Sequence, residues 1–181
     1  MSAYNQIVGA GNRPWEDPPS PLPTEDHLDS YTGRTAVEWI HHYRDDKPFY
    51  LQVLFPGPHD PFDSPAEYRA MYNPADMPPG MMEKPVQPIP PVVRELLELS
   101  KMDGMTREQK QMLRVIYNAK ITLIDRQIGN LLQALSETGR LEDTWIIYTS
   151  DHGEMLGDHR LSHKMVFYEA VSYTHLTLPT N

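Results

Sequence analysis

Thr144-Trp145-Ile146-Ile147-Tyr148-Thr149 runs directly into Ser150-Asp151-His152-Gly153-Glu154-Met155-Leu156-Gly157-Asp158-His159. The first six residues are β-branched or aromatic, the pattern of a strand buried on both faces in a parallel sheet. The ten that follow hold two histidines and three carboxylates, and Gly153 and Gly157 permit tight turns. Outward from this stretch lies a second run of the same kind, Phe49-Tyr50-Leu51-Gln52-Val53-Leu54-Phe55, with Pro48 before it and Pro56-Gly57-Pro58-His59-Asp60-Pro61 after it. A helix is expected over 31–44, where Ala36, Val37, Trp39, Ile40 and Tyr43 share a face. A longer one is expected over 107–138, opened by a Thr106/Gln109 capping box and closed at Gly139. The order helix, strand, long crossover with helix, strand predicts an α/β fold with a mainly parallel sheet. Ligands in such sheets bind beyond the carboxyl ends of the strands. The two segments richest in chemistry, 55–61 and 150–154, would therefore share one sheet edge.

Composition narrows the function classes. The 181 residues carry a formal net charge of −9, which argues against a broad electrostatic grip on nucleic acid. Cysteine is absent, so disulfides, thiolate metal sites and a cysteine nucleophile are excluded from this chain. No apolar run reaches the roughly 20 residues that span a bilayer. Met1 to Asn12 lacks a basic start and an apolar core, so it does not read as a secretory signal, and the compartment is not encoded. Proline is unevenly spread: of 18 residues, all but Pro179 lie at or before Pro91. Residues 1–30 accordingly read as an irregular arm. Residues 56–105 read as a long excursion, with short helices at 65–72 and 91–100.

Asp151 followed by His152 at a strand end is a plausible pair of metal ligands, suited to calcium, magnesium or manganese, with zinc admitted by the imidazole. A solvated polar loop is the plain alternative. A zinc site from His152, Asp158, His159 and His163 is a weaker one, since nothing in the spacing makes the four converge. Lys164 is a compact cation able to hold an anionic oxygen, and His59 sits on a turn stiffened by Pro58 and Pro61.

Pro48-Phe49 through Phe62, with its Pro-His-x-Pro turn, resembles the corresponding segment of sulfatases. Asp151 through His159, with Leu161, Lys164 and Tyr168-Glu169, is similar to the family's second large motif. Tyr117-Asn118-Ala119, Asp125 and Ile128-Gly129 resemble the helix between them. The resemblance covers roughly 26–170. It implies a partial alkaline-phosphatase-like sandwich and metal-assisted hydrolysis of a sulfate ester, on a sulfated small molecule or glycan. It also implies roles for individual residues. Asp151 and His152 would be ligands of a divalent cation, usually calcium, with manganese or magnesium as alternatives. Many sulfatases have asparagine where His152 stands, and imidazole there is closer to relatives that use a transition metal. His59 would contact the ester and protonate its leaving oxygen. Lys164 would bind a sulfate oxygen.

The resemblance has gaps. The sulfatase nucleophile is a formylglycine made within Cys/Ser-x-Pro-x-Arg, and neither Ser20-Pro21 nor Ser64-Pro65 fits that spacing. The paired aspartates of the family's first strand also have no counterpart, because Asp45-Asp46 precedes its strand. The chain is therefore expected to be an internal fragment of a larger enzyme, with the formylglycine in the part before it, and to be inactive alone. Residues 171–181 match no family element and read as an atypical tail that resembles a sequence-assembly artefact. A phosphonate monoester or phosphodiester hydrolase of the same superfamily, and a non-catalytic scaffold remnant, are the alternatives.

Overall fold

The computed structural model describes residues 13–81, 88–168 and 170–171. They divide into two compact units, one from Met1–Asp76 and Met112–Ile146, the other from Met77–Gln111 and Ile147–Asn181. The helices are α1 (Leu28–His42), α2 (Ala66–Arg69), α3 (Pro91–Ser100) and α4 (Arg107–Glu137), supplemented by single 3-10 turns.

The helix signals in the sequence act as expected. The Thr106 amide donates to Gln109 Oε1 at 2.9 Å and the Gln109 amide to Thr106 Oγ1 at 3.2 Å, a closed capping box. At the other end Gly139 takes φ 68°, its amide reaches Ser136 O at 3.0 Å, and the Arg140 amide reaches Leu135 O at 2.8 Å. This is the Schellman arrangement, which satisfies carbonyls the helix leaves open. α1 starts at Leu28, earlier than expected, because His27 caps it: His27 Nδ1 accepts the Asp29 amide at 3.3 Å.

In the first unit α1 and α4 close on one another at Gly33. A Cβ there would lie 2.6 Å from Gln127 Cβ, so only glycine admits this approach. Ile40, Ala134 and Leu135 form a core joined by Val37, Phe49, Leu51, Leu131 and Leu141. Trp39, Tyr43 and Phe49 stack or meet edge-on with centroids 5.0–5.2 Å apart. The second unit packs Met155, Leu161, Val166 and Val171 against Val93, Leu96 and Leu97 of α3.

The expected mainly parallel sheet is not formed among the described residues, where no residue is in a strand. Burial along 49–55 alternates with period two: Phe49, Leu51, Val53 and Phe55 are half-buried, whereas Tyr50 and Leu54 are 86% and 71% exposed. The run expected to be covered on both faces is covered on one. Trp145, Ile147 and Tyr148 of the other run are exposed. Both keep strand composition, but a strand needs a neighbour to take its N–H and C=O groups, and among the described residues neither run is paired. Of the tail, Val171 alone is described. Val171 is buried, and its carbonyl accepts the Gly153 amide at 2.9 Å, so the fold extends past residue 170. Residues 172–181, Glu169 and the start of the arm lie outside the described residues. No helix among the described residues is long and apolar enough to cross a membrane.

The described part of the arm holds two 3-10 turns, Pro14–Glu16 and Thr24–Asp26, and is packed against the rest of its unit. Trp15 and Asp17 are buried, and Arg69 of α2 donates to Asp17 O, Pro18 O and Phe62 O at 2.7, 3.0 and 2.8 Å. Burial pushes the Asp17 carboxyl up from 3.8 to about 6, against a lowering by the Phe62 amide and Arg69. The same burial draws Arg69 down to about 10. A raised carboxyl means that the folded chain binds the extra proton between pH 3.8 and about 6, so stability falls as pH rises through that window. Asp17→Asn is expected to abolish that slope and to stabilise the chain at pH 7, on the order of 1–3 kcal/mol. Urea denaturation at pH 4.5 and pH 7 measures it. An unchanged pH slope would contradict a buried, ionised Asp17.

Candidate functional site

His59 belongs to the first unit. Its turn, 57–63, is held by buried groups on other elements. Asp29 of α1, fully buried, accepts the Gly57 amide at 2.9 Å through Oδ1. A Cβ on Gly57 would lie 2.4 Å from Asp29 Oδ2, which explains glycine there. Lys120 of α4, also buried, donates to His59 O at 3.0 Å, Pro61 O at 3.0 Å and Asp63 Oδ1 at 3.2 Å. His27 Nδ1 is an acceptor, so its proton sits on Nε2, 3.5 Å from Asp63 Oδ1.

The His59 ring is about half-exposed, at 48%. Its Nδ1 lies 2.9 Å from both the carbonyl and a carboxylate oxygen of Asp60. Both atoms only accept, so Nδ1 keeps its proton and Nε2 is the nitrogen that can gain and lose one. That arrangement suits a general acid.

Asp151, His152 and Lys164 belong to the second unit. The His152 amide donates to Asp151 Oδ1 at 2.9 Å, and His152 Nδ1 lies 2.8 Å from Gly153 O. The carbonyl can only accept, so Nδ1 donates and the Nε2 lone pair is left 3.6 Å from Asp151 Oδ2. A backbone carbonyl on one ring nitrogen is the usual means of orienting the other toward a cation. Asp151 is 86% exposed. The two groups have ligand chemistry, yet among the described residues no three His, Cys, Asp or Glu side chains gather as a metal site needs. Two are too few for calcium, which takes about 6–8 oxygens. The four-residue zinc alternative is not assembled: Asp158 Oδ1 accepts the Met81 amide at 2.8 Å, and His159 stacks on Tyr168 with centroids 4.4 Å apart.

Lys164 is half-buried and follows a turn pinned by Glu154. Glu154 Oε1 accepts the amides of His163 at 2.6 Å and Leu156 at 3.3 Å. The Met155 amide donates to His163 O at 3.2 Å, and His163 takes φ 66°. Glu154 therefore shapes the backbone that presents Lys164.

The Sulfatase family model matches residues 3–172, nearly the whole chain. The chain belongs to the sulfatase family. This sulfatase-family chain is 35% identical over 171 residues to a multifunctional alkaline phosphatase superfamily protein, PehA, of Trinickia caryophylli, covering 87% of the chain and 33% of that protein. It is 30% identical over 163 residues to an arylsulfatase of Clostridium perfringens, covering 90% of the chain and 34% of that protein. Among solved structures it is similar to a phosphonate monoester hydrolase from Silicibacter pomeroyi, with TM-score 0.72 and 29% identity over 84% of the chain and 32% of that structure. The chain thus spans about a third of the length of these relatives, and the alkaline-phosphatase-like fold is shared over that third.

Asp29, Asp63 and Lys120 carry no motif that names them as site residues, and Glu154, though inside the Asp151–His159 motif, was given no role there. Lys120 had one signal: it lies between Ile116, Ala119 and Leu123 on the apolar stripe of its helix, where a cation needs buried acceptors.

Proposed function

We propose that the complete protein is a sulfuric ester hydrolase in which His59 protonates the leaving oxygen and Lys164 holds an anionic oxygen of the ester. The geometry of His59 carries the reading. Its Nδ1 is held by Asp60 and its half-exposed ring offers Nε2, on a turn that belongs to the family's matched segment. An alkoxide leaving near neutral pH needs a proton, which a positioned imidazole can donate. A lysine opposite the developing charge lowers the barrier electrostatically. In this reading a divalent cation, calcium before manganese or magnesium, takes Asp151 and His152 as two of its ligands and requires others. The nucleophile, a formylglycine, comes from sequence other than these 181 residues, which lack cysteine. The isolated chain is accordingly inactive, and its substrate is a sulfated small molecule or glycan.

A phosphonate monoester hydrolase is the second reading. It is favoured by the similarity to the Silicibacter pomeroyi enzyme and by an imidazole at His152. The complete protein, supplied with each metal in turn, should be assayed on matched sulfate and phosphonate monoesters with aryl and alkyl leaving groups. Faster turnover of sulfates supports the first reading and faster turnover of phosphonates the second. In either, His59→Ala should lose about 10²- to 10⁴-fold on the alkyl ester and much less on a nitrophenyl ester, whose anion leaves unaided. Equal losses on both would refute the general-acid role.

A further inference from the structure

We propose that Lys120 is a positioning residue for His59: its buried ammonium sets the backbone from which the leaving-group histidine is aimed. The inference rests on the reaction proposed above.

An ammonium has three N–H donors and no acceptor. Lys120 is 4% exposed, and its ammonium donates to three acceptors of one turn: His59 O and Pro61 O at 3.0 Å and Asp63 Oδ1 at 3.2 Å. Two of them are carbonyls, one being that of His59 itself, so the bonds fix peptide planes and not merely a side chain. Asp63, 1% exposed, supplies the countercharge, with His27 Nε2 3.5 Å from the same oxygen. Asp29 holds the opposite end of the turn through the Gly57 amide.

The turn is therefore gripped at both ends by buried charged groups, while the His59 ring stays half-exposed. Burying a lysine and an aspartate is a poor route to stability, because desolvation offsets most of their attraction and well-packed apolar residues often do as well. What the pair provides is direction. Carbonyls at 59 and 61 hydrogen-bonded to one nitrogen leave the peptide of His59 little freedom to rotate. A proton donor displaced by an ångström loses much of its effect.

The test uses the complete enzyme and matched alkyl and nitrophenyl esters. Lys120→Met keeps length and apolar volume and removes the ammonium. The expected result is a kcat on the alkyl ester lowered about 10- to 100-fold, with the nitrophenyl ester changed far less and KM nearly unmoved. The double variant with His59→Ala should be no slower on the alkyl ester than His59→Ala alone. If Lys120→Met does not fold by circular dichroism, Lys120→Gln, which keeps two N–H donors without charge, is read by the same criteria. A uniform loss on both esters, or losses that multiply with His59→Ala, would overturn the inference while leaving the reaction intact. A His59→Ala variant with no leaving-group dependence would overturn the reaction, and the inference with it.

Discussion

Lys164→Ala is expected to lower kcat of the complete enzyme by about 10²- to 10³-fold, roughly 3–4 kcal/mol, with the fold unchanged. The size follows from the proposed role. A cation held where negative charge grows in the transition state contributes more there than in the ground state, so its loss falls on turnover. The intact fold follows from the structure. The turn bearing Lys164 is formed by backbone groups and Glu154: the His163 amide on Glu154 Oε1 at 2.6 Å and the Met155 amide on His163 O at 3.2 Å. None of these bonds uses the lysine side chain, and truncating a half-buried stem removes little packing. Lys164→Arg should recover only part of the rate, because a planar guanidinium presents its donors in a different geometry. Steady-state kinetics with circular dichroism on both variants decide the matter. Turnover of Lys164→Ala close to that of the parent would remove the residue from the reaction.

Gly153→Ala, by contrast, acts on folding. A Cβ at Gly153 would sit 2.0 Å from Ala170 O, 3.0 Å from Ala170 C and 3.4 Å from Val171 Cα. Those atoms are backbone, so no rotamer change relieves the clash. The Gly153 amide is also bonded to Val171 O at 2.9 Å, and any retreat breaks that bond. The expected cost is at the upper end of overpacking, about 3 kcal/mol or more. Val171 shares a core with Met155, Leu161 and Val166, so the loss should reach the whole cluster. Thermal melting of the chain, followed by far-ultraviolet circular dichroism, should show a transition lowered by several degrees or lost. An unmoved transition would mean that 153 and 170 do not approach this closely. Because Gly153 follows Asp151 and His152, the same substitution should also disturb the carbonyl that orients His152 Nδ1.

How much of the fold was legible in the sequence differs by element. The helices were, because their signals are local: a Thr106/Gln109 box, an apolar stripe along α4 and a glycine at 139 act within a few residues of one another. The two apolar runs were legible as strand-like composition but not as a sheet. Pairing is a property of a strand and its neighbour, and 49–55 shows only the period-two burial of one covered face. The site divided the same way. His59, Asp151, His152 and Lys164 stood out by residue type and by the motifs around them. Lys120, Asp63 and Asp29 did not, since their partners are remote in sequence, and Glu154 stood within the motif without showing that it would hold the amides of Leu156 and His163.

The sequence by itself determined membership of the sulfatase family, the limits of α4 and which residues are of a type able to donate a proton, hold an anion or bind a cation. Each depends on residue identity and short-range spacing, which a linear string carries completely. Only the tertiary structure decided that His59 hangs from a buried lysine 61 residues further along the chain, that Glu154 shapes the turn before Lys164, and that Val171 closes onto Gly153. Those facts depend on which distant groups share a desolvated space, where every buried donor and acceptor must find a partner.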